Sequence, residues 1–388
     1  MRTSGFHVGC RKAMAGIYIH IPFCKSRCIY CGFYSTTEAS MRQRYVDALC
    51  QEIRMRRGEF DGQQISTIYL GGGTPSQLSF AQLTQLFDTL HECYNIYNVG
   101  QQMEVTMECN PDDVTDEFAD SLRQLPVNRV SMGAQTFSEP LLRFIRRRHN
   151  ARQVTEAVER LRKVGINNIS IDLMYGIPGQ TMDIWAQDIA SALSLGVEHI
   201  SAYSLMFEED TPLYQMLEKG ETEEASEDLS VAMFNLLIDR LESAGYEHYE
   251  VSNFARKGYR SRHNSSYWTG VPYMGFGAAA HSYDIESRQW NVSDIRAYIR
   301  GIEKGHIPAE REPLDERTRY NDAVTVALRT REGINMASYA DNYAAYCNKM
   351  ADKFVKTGLL EKEGTWLRLT RQGIFVSDMI MRELIYVD

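Results

Sequence analysis

The sequence predicts an α/β protein: a partial (β/α)6 barrel of TIM type, followed by a smaller C-terminal α+β domain with a winged-helix-like order of elements. Three observations carry this expectation. Short runs rich in β-branched and aromatic residues alternate with amphipathic helical stretches between Gly16 and Leu205, the signature of a parallel sheet built from βα units. The conspicuous polar motifs fall directly after those runs, where barrels of this kind gather their reactive groups. From about Glu208 the rhythm is lost and shorter, mixed elements follow.

Taken in order, the first strand is Gly16 to Ile21, and Arg42 to Arg56 has helical character. The second strand, Thr67 to Leu70, runs into Gly71, Gly72, Gly73, Thr74 and Pro75, with a helix after Ser79. Met103 to Met107 precedes Glu108, Cys109, Asn110 and Pro111, and a helix from about Thr115. Arg129 to Gly133 leads through Gln135 into a helical stretch broken near His149 and resumed to Val164. Asn168 to Met174 ends at a Tyr175–Gly179 turn, and a helix from about Asp183 to Leu195 precedes the sixth strand, His199 to Leu205. Eight units close a full barrel, so six predict one open on a side that could admit a bulky ligand. The expected domains are an N-terminal extension (1–15), the barrel (16–207), a barrel-completing segment (208–305) and the C-terminal domain (306–388).

Composition narrows the class. A net charge of −9 argues against a general nucleic-acid binder, which needs a basic footprint. No apolar run reaches the length of about 18 residues that a spanning helix needs. The first 13 residues lack the apolar core of a secretory signal, so a cytoplasmic address is expected. Eight cysteines, three of them clustered, suit a reducing compartment and cofactor ligation. Cys10, Cys50, Cys93, Cys109 and Cys347 read as packing residues.

Cys24, Cys28 and Cys31 stand in CxxxCxxC spacing directly after the first strand. Three thiolates on one short loop can converge on one inorganic centre. A [4Fe-4S] cubane normally takes four cysteines, so a site offering three leaves one iron open for chemistry. Structural zinc instead wants four N/S ligands, usually as two spaced pairs, and no second CxxC pair exists. Gly72, Gly73 and Thr74 would let backbone groups approach a polar ligand. Glu108 and Gln135 could meet an ammonium or ribose hydroxyl. Asp172 lies inside the apolar run ISIDLMYG, where an unpaired carboxylate is costly, so it must face a partner or a ligand.

The cysteine spacing and its setting resemble the radical S-adenosylmethionine (SAM) superfamily. YIHIPFC, GGGTPS, ECNP, SMGAQTF, IDLMYGIPGQT and ISAYSL together resemble the oxygen-independent coproporphyrinogen III oxidase-like family, from about Gly16 to the C-terminus. That family includes porphyrinogen decarboxylases and haem chaperones of the HemW type. The resemblance implies a cluster held by Cys24, Cys28 and Cys31. It places SAM near Tyr18, Tyr30, Gly72, Gly73, Thr74, Glu108, Gln135, Arg147, Asp172 and Met174. The family pattern has a glycine before the arginine, whereas this chain reads Arg146, Arg147, Arg148, which leaves the choice among the three open.

Two features tilt the expectation toward the chaperone type. The decarboxylases carry a fourth cysteine two positions after the third, where this chain has Phe33; they also have a longer arm before the cluster motif. His263, Asn264, Tyr267 and Trp268 match an HNxxYW pattern that resembles the haem-binding signature of the chaperones, with His263 as the axial candidate. A neutral imidazole suits haem iron and flanking aromatics can cover a porphyrin face. The motif reads as a loop, and Tyr273 to His281 as a flexible glycine-rich border; His281 reads as a packing or hydrogen-bonding residue rather than a second axial ligand. The cofactors implied are the cluster, SAM and haem. The partners implied are haem acceptors such as membrane-bound respiratory enzymes and an electron donor such as flavodoxin or ferredoxin; a homodimer stays open. SAM cleavage also stays open, while coproporphyrinogen oxidase activity is the alternative. Beyond a boundary near Lys304 to Pro313, helices around Arg317 to Arg329 and Asn342 to Lys356 precede a hairpin over Leu359 to Leu369 and a terminal helix. Six basic and six acidic residues between Ala351 and Asp388 give that winged-helix-like module no footprint for DNA, so a lid or docking role is expected.

Overall fold

The structure is a computed structural model that describes residues 14–59, 62–96 and 103–387. The expected extension before Met14, with Cys10, lies outside them. β1 (Met14–Ile21), β2 (Gln64–Gly72), β3 (Glu104–Cys109), β4 (Arg129–Gln135), β5 (Ile169–Tyr175) and β6 (His199–Ser204) pair in parallel in chain order. Between them lie α1 (Arg42–Met55), α2 (Phe80–Tyr94), α3 (Asp116–Leu122), α4 (Glu139–Phe144), α5 (Ala151–Lys163) and α6 (Met182–Ser194). Local chemistry sets the starts: Ser79 with Gln82, and Asn150 with Gln153, form reciprocal capping boxes at α2 and α5. The expected break near His149 is the gap between α4 and α5.

After β6 come α7 (Pro212–Glu218), α8 (Glu227–Ser243), β7 (Glu247–Glu250), β8 (Asn253–Ala255) and α9 (Arg262–Trp268). Then follow β9 (Tyr273–Phe276), β10 (His281–Tyr283), β11 (Ser287–Asn291), α10 (Ile295–Glu303) and β12 (Ala309–Pro313). The parallel part has one strand more than the sequence suggested. β9 pairs parallel with β1 on the side away from β2, so a stretch expected to be a flexible border is buried sheet. Its glycines serve packing: a Cβ on Gly275 would collide with the His281 carbonyl. His281 itself is exposed and its ring stacks on Trp290. Antiparallel strands extend both edges, giving the order β12-β11-β10-β9-β1-β2-β3-β4-β5-β6-β8-β7.

Strand alternation then builds two environments. Ile17, Ile19 and Ile21, Ile68 and Leu70, Val130 and Met132, and Ile171 and Leu173 point outward into one apolar core shared with the helices. The intervening residues, Tyr18, Tyr69, Thr106, Glu108, Arg129, Ser131, Asp172 and Ser201, belong to the opposite, inward face. The barrel therefore has a polar lumen inside an apolar shell.

The extension carrying β9 to β11 is fixed to α1 by one fully buried carboxylate. Glu52 accepts from Arg56 Nη1 (3.1 Å), Asn291 Nδ2 (2.8 Å), the Gly277 amide (2.8 Å) and the Tyr298 hydroxyl (2.6 Å). The remaining chain forms α11 (Glu316–Ala327), β13 (Ile334–Asn335), α12 (Asp341–Lys356), β14 (Leu360–Glu363), β15 (Trp366–Leu369), α13 (Arg371–Ile374) and α14 (Ser377–Leu384). This winged-helix-like unit has an antiparallel sheet, β13-β15-β14, and its own core around Val324, Cys347 and Leu367. It docks on α8 through Arg371 to Asp239 (2.6 Å) and Phe375 edge-on to Phe234 (5.5 Å). Among the described residues no helix is long and apolar enough to cross a membrane.

Replacing Glu52 by alanine takes the acceptor from the buried Gly277 amide and Tyr298 hydroxyl, while Arg56 keeps Glu59 and the Gly275 carbonyl and Asn291 keeps the Gly277 carbonyl. We expect a loss of about 2–4 kcal/mol in denaturant unfolding from the two unsatisfied buried donors; a change below about 1 kcal/mol would show that the network is dispensable.

Candidate functional site

The loop after β1 is held by backbone. The Cys24 amide donates to the Thr36 carbonyl (2.9 Å), Thr36 to Pro22 (2.6 Å) and, across the rim, Leu213 to Ile29 (2.9 Å). From the β2 side the Gly73 amide donates to the Ile21 carbonyl (2.8 Å). Such closeness excludes side chains. A Cβ on Gly73 would stand 2.8 Å from that carbonyl oxygen, and one on Gly72, whose φ is +105°, would overlap the His20 ring.

Cys24, Cys28 and Cys31, with Tyr30, Gly72, Gly73, Thr74 and Arg147, line one cavity of about 80 Å³. The Thr74 hydroxyl donates to Cys24 Sγ (3.5 Å) and Arg147 Nη1 to Cys28 Sγ (3.6 Å). Arg147 Nη2 also donates to Asn110 Oδ1 (2.8 Å) and the Gly133 carbonyl (2.5 Å), while its buried Nε has no partner. Burial works against charge on Arg147, but Tyr30 and Cys28 beside it hold its pKa above the usual range. All three arginines line the cavity, and their partners tell them apart. Arg148 is tied to Asp112 (3.0 Å) and Asp113 (3.1 Å), and Arg146 is exposed with φ +55°. Only Arg147 of the three lies against a cysteine sulfur.

The donor set fits an iron–sulfur cluster. Three thiols share the cavity, yet among the described residues no three Cys, His, Asp or Glu side chains converge closely enough for a single metal ion. The residues that would hold a cluster are Cys24, Cys28 and Cys31, with N–H and O–H donors already aimed at two of the sulfurs.

Below the cavity, Glu108 accepts from the Tyr69 hydroxyl (2.8 Å) and the Gly72 amide (3.2 Å); burial lifts its pKa to about 7. Asp172 accepts from Ser131 (3.4 Å), and burial lifts it to about 6. Gln135 sits at a β-bulge with φ +66°, a strained conformation for a side-chain-bearing residue, and its amide approaches Gly133 beside Arg147. Tyr18 donates to or accepts from His20 Nδ1 (3.1 Å) and stacks on Tyr69 (6.3 Å). Met174 packs with Leu141, Ile145 and Ile177 against Tyr30. Asn110, Tyr69 and Arg129 were not singled out from sequence. Asn110 stood in the quoted ECNP run, and strand alternation would have put Tyr69 and Arg129 in line with Asp172.

His263 is elsewhere. It touches Gly16 and Thr67 near the start of β1 and β2, on the order of 20 Å along β1 from the cysteine loop. The motif is also not a loop, as expected, but the helix α9. Its first amides, Arg262 and His263, donate to the Glu104 carboxylate (3.0 and 2.9 Å). The His263 side chain is fully buried, with Nδ1 against Thr67 Oγ1 (2.8 Å) and Nε2 against the Tyr267 hydroxyl (2.8 Å). Burial drops its pKa to about 3, so the ring is neutral.

The family model of the radical SAM superfamily matches residues 18–191, and that of the HemN C-terminal domain matches 314–376. The chain is 35% identical to the heme chaperone HemW of Bacillus subtilis, covering 93% of this chain and 96% of that one. It is 32% identical to the heme chaperone HemW of Mycobacterium tuberculosis H37Rv, covering 95% and 94%. The chain belongs to the HemW family. The radical SAM match in this HemW-family chain implies a [4Fe-4S] cluster and SAM as cofactors. Its fold matches that of coproporphyrinogen III oxidase (HemN) from Escherichia coli, with a TM-score of 0.83 over 96% of this chain and 90% of that one, at 22% identity.

Because Gly73 has no room for a side chain, Gly73→Ala should push the β2 rim off the cysteine loop. We expect lower iron and sulfide content per chain after anaerobic reconstitution; an unchanged iron load would show that the loop tolerates the shift.

Proposed function

We propose that this protein is a haem chaperone that binds a [4Fe-4S] cluster, SAM and haem, and passes haem to acceptors such as respiratory enzymes. The carrying observation is the cysteine loop: two positions beyond Cys31 stands Phe33, 71% exposed, where the decarboxylases of the resembling family have a fourth cysteine. The names of the full-length relatives support the same reading. In this proposal Cys24, Cys28 and Cys31 ligate the cluster. Arg147, Glu108 and Asp172 receive the charged groups of SAM, and Gly72, Gly73 and Thr74 offer backbone and hydroxyl contacts. A cluster with an open iron supplies one-electron chemistry toward the SAM sulfonium when both are bound.

His263 is the haem ligand in this reading. Both its ring nitrogens are engaged and it is fully enclosed, so ligation requires α9 to leave its seat on Thr67 and Glu104. The neutral state that burial enforces is the state in which imidazole ligates iron. Anaerobic reconstitution followed by parallel assays of haem absorbance and coproporphyrinogen conversion tests the function; conversion without stable haem binding would sink it. His263→Ala should weaken haem binding at least about tenfold, about 1.4 kcal/mol, with the iron and sulfide load unchanged. An unaltered haem spectrum and affinity rejects His263 as the ligand.

A further inference from the structure

Arg129 stands on the inward face of β4, register-paired with Thr106 of β3, and is 1% exposed. Among the described residues its side chain has no hydrogen-bond or ion-pair partner, and its enclosed Nε is bare, as is Thr106 Oγ1 beside it. A guanidinium carries five donors in a fixed fork, and a buried one without a partner is costly. Its charge must therefore be offset through space by what surrounds it in the lumen. One layer above lie Glu108 and Ser131, and Ser131 reaches on to Asp172.

We propose that Arg129 is a positioning residue for the cationic cofactor, keeping Glu108 and Asp172 as carboxylates so that they can face the ammonium, ribose hydroxyls and sulfonium of SAM. This rests on the reading that the lumen takes SAM.

Among the described residues, Arg129 is the one cation that acts on both carboxylates. Burial lifts Glu108 to about 7 and Asp172 to about 6; on Glu108 the Tyr69 hydroxyl and the Gly72 amide act ahead of Arg129, with Asp172 pushing the other way, whereas on Asp172 Arg129 is the largest restraint, ahead of Ser201, Ser131 and Arg147. Tyr18 on β1, Tyr69 on β2, Tyr249 on β7 and Tyr267 on α9 are all pushed up by burial and stay neutral. His199 on β6 and His263 on α9 are pushed down by burial, then by Arg129, and are neutral too. Of the other charges, Glu104 caps α9, Glu250 pairs with Arg329, and Arg147, bonded to Cys28, Asn110 and Gly133, acts on Asp172 after Arg129, Ser201 and Ser131.

The sign follows. Cation binding needs ionised carboxylates, so SAM affinity rises with pH through their midpoints, and losing the nearby cation moves those midpoints up. In Arg129→Met, we expect the pH profile of SAM binding to the reconstituted protein to shift alkaline by about one unit. Affinity at pH 7 should then fall about tenfold. Arg129→Lys, which keeps the charge, should retain the wild-type profile. An infrared titration of the carboxylic-acid carbonyl band, assigned with Glu108→Gln and Asp172→Asn, should show the same displacement without SAM. An unmoved midpoint in Arg129→Met, or one moved equally in Arg129→Lys, overturns the proposal. If Arg129→Met does not fold, Arg129→Gln takes its place under the same criterion. Should the carboxyl band move as expected while wild type binds no SAM, the cofactor reading fails and the electrostatic role of Arg129 stands.

Discussion

Enclosing a polar lumen inside an apolar shell is the constraint on which the rest of this structure depends. Each strand must supply isoleucine, leucine or valine to the helices on one face and hydroxyls, carboxylates or guanidinium to the lumen on the other. Inside, no bulk water solvates those groups, so each must meet another group or a ligand. Glu108 meets Tyr69 and Gly72, Asp172 meets Ser131, and Glu104 meets the start of α9. What the lumen does not satisfy internally, Arg129 above all, is where a bound charged molecule is felt.

The two ends of the barrel are built for different purposes. At the C-terminal ends of the strands, the chain turns on glycine and exposes backbone, thiols and several arginines to a shared cavity. The opposite end is closed by a helix whose histidine and tyrosine complete a hydrogen-bonded chain to β2. The C-terminal unit then braces that plug: Arg329 lies 5.0 Å from the Trp268 ring and ion-pairs with Glu250, while Arg260 reaches Glu332 (2.8 Å). A module that looked like a generic lid or docking element thus contacts the helix carrying the HNxxYW motif.

Legibility differed by residue for physical reasons. Asp172 could be picked out because a carboxylate in an apolar run violates the local pattern, and its neighbours in space duly include a hydroxyl donor. Arg147 could not be told from Arg146 and Arg148, because three adjacent arginines differ only in where the turn after α4 points them. β9 was missed because a short glycine-containing run carries the same pattern as a loop until it is known that β1 has a free edge. Burial of His263 was missed for the same kind of reason: a polar heptapeptide is buried only if other strands provide Thr67 and Glu104 to receive it.

By itself the sequence determined the barrel class, the order of its six βα units and the three-cysteine loop, since period, turn glycines and thiol spacing are local properties of the chain. Only the tertiary structure decided which arginine faces the thiols, that a seventh parallel strand flanks β1, and that His263 lies at the far end of the lumen from the cysteines. Those facts depend on which surfaces meet across hundreds of residues, and contact at a distance in sequence leaves no local pattern to read.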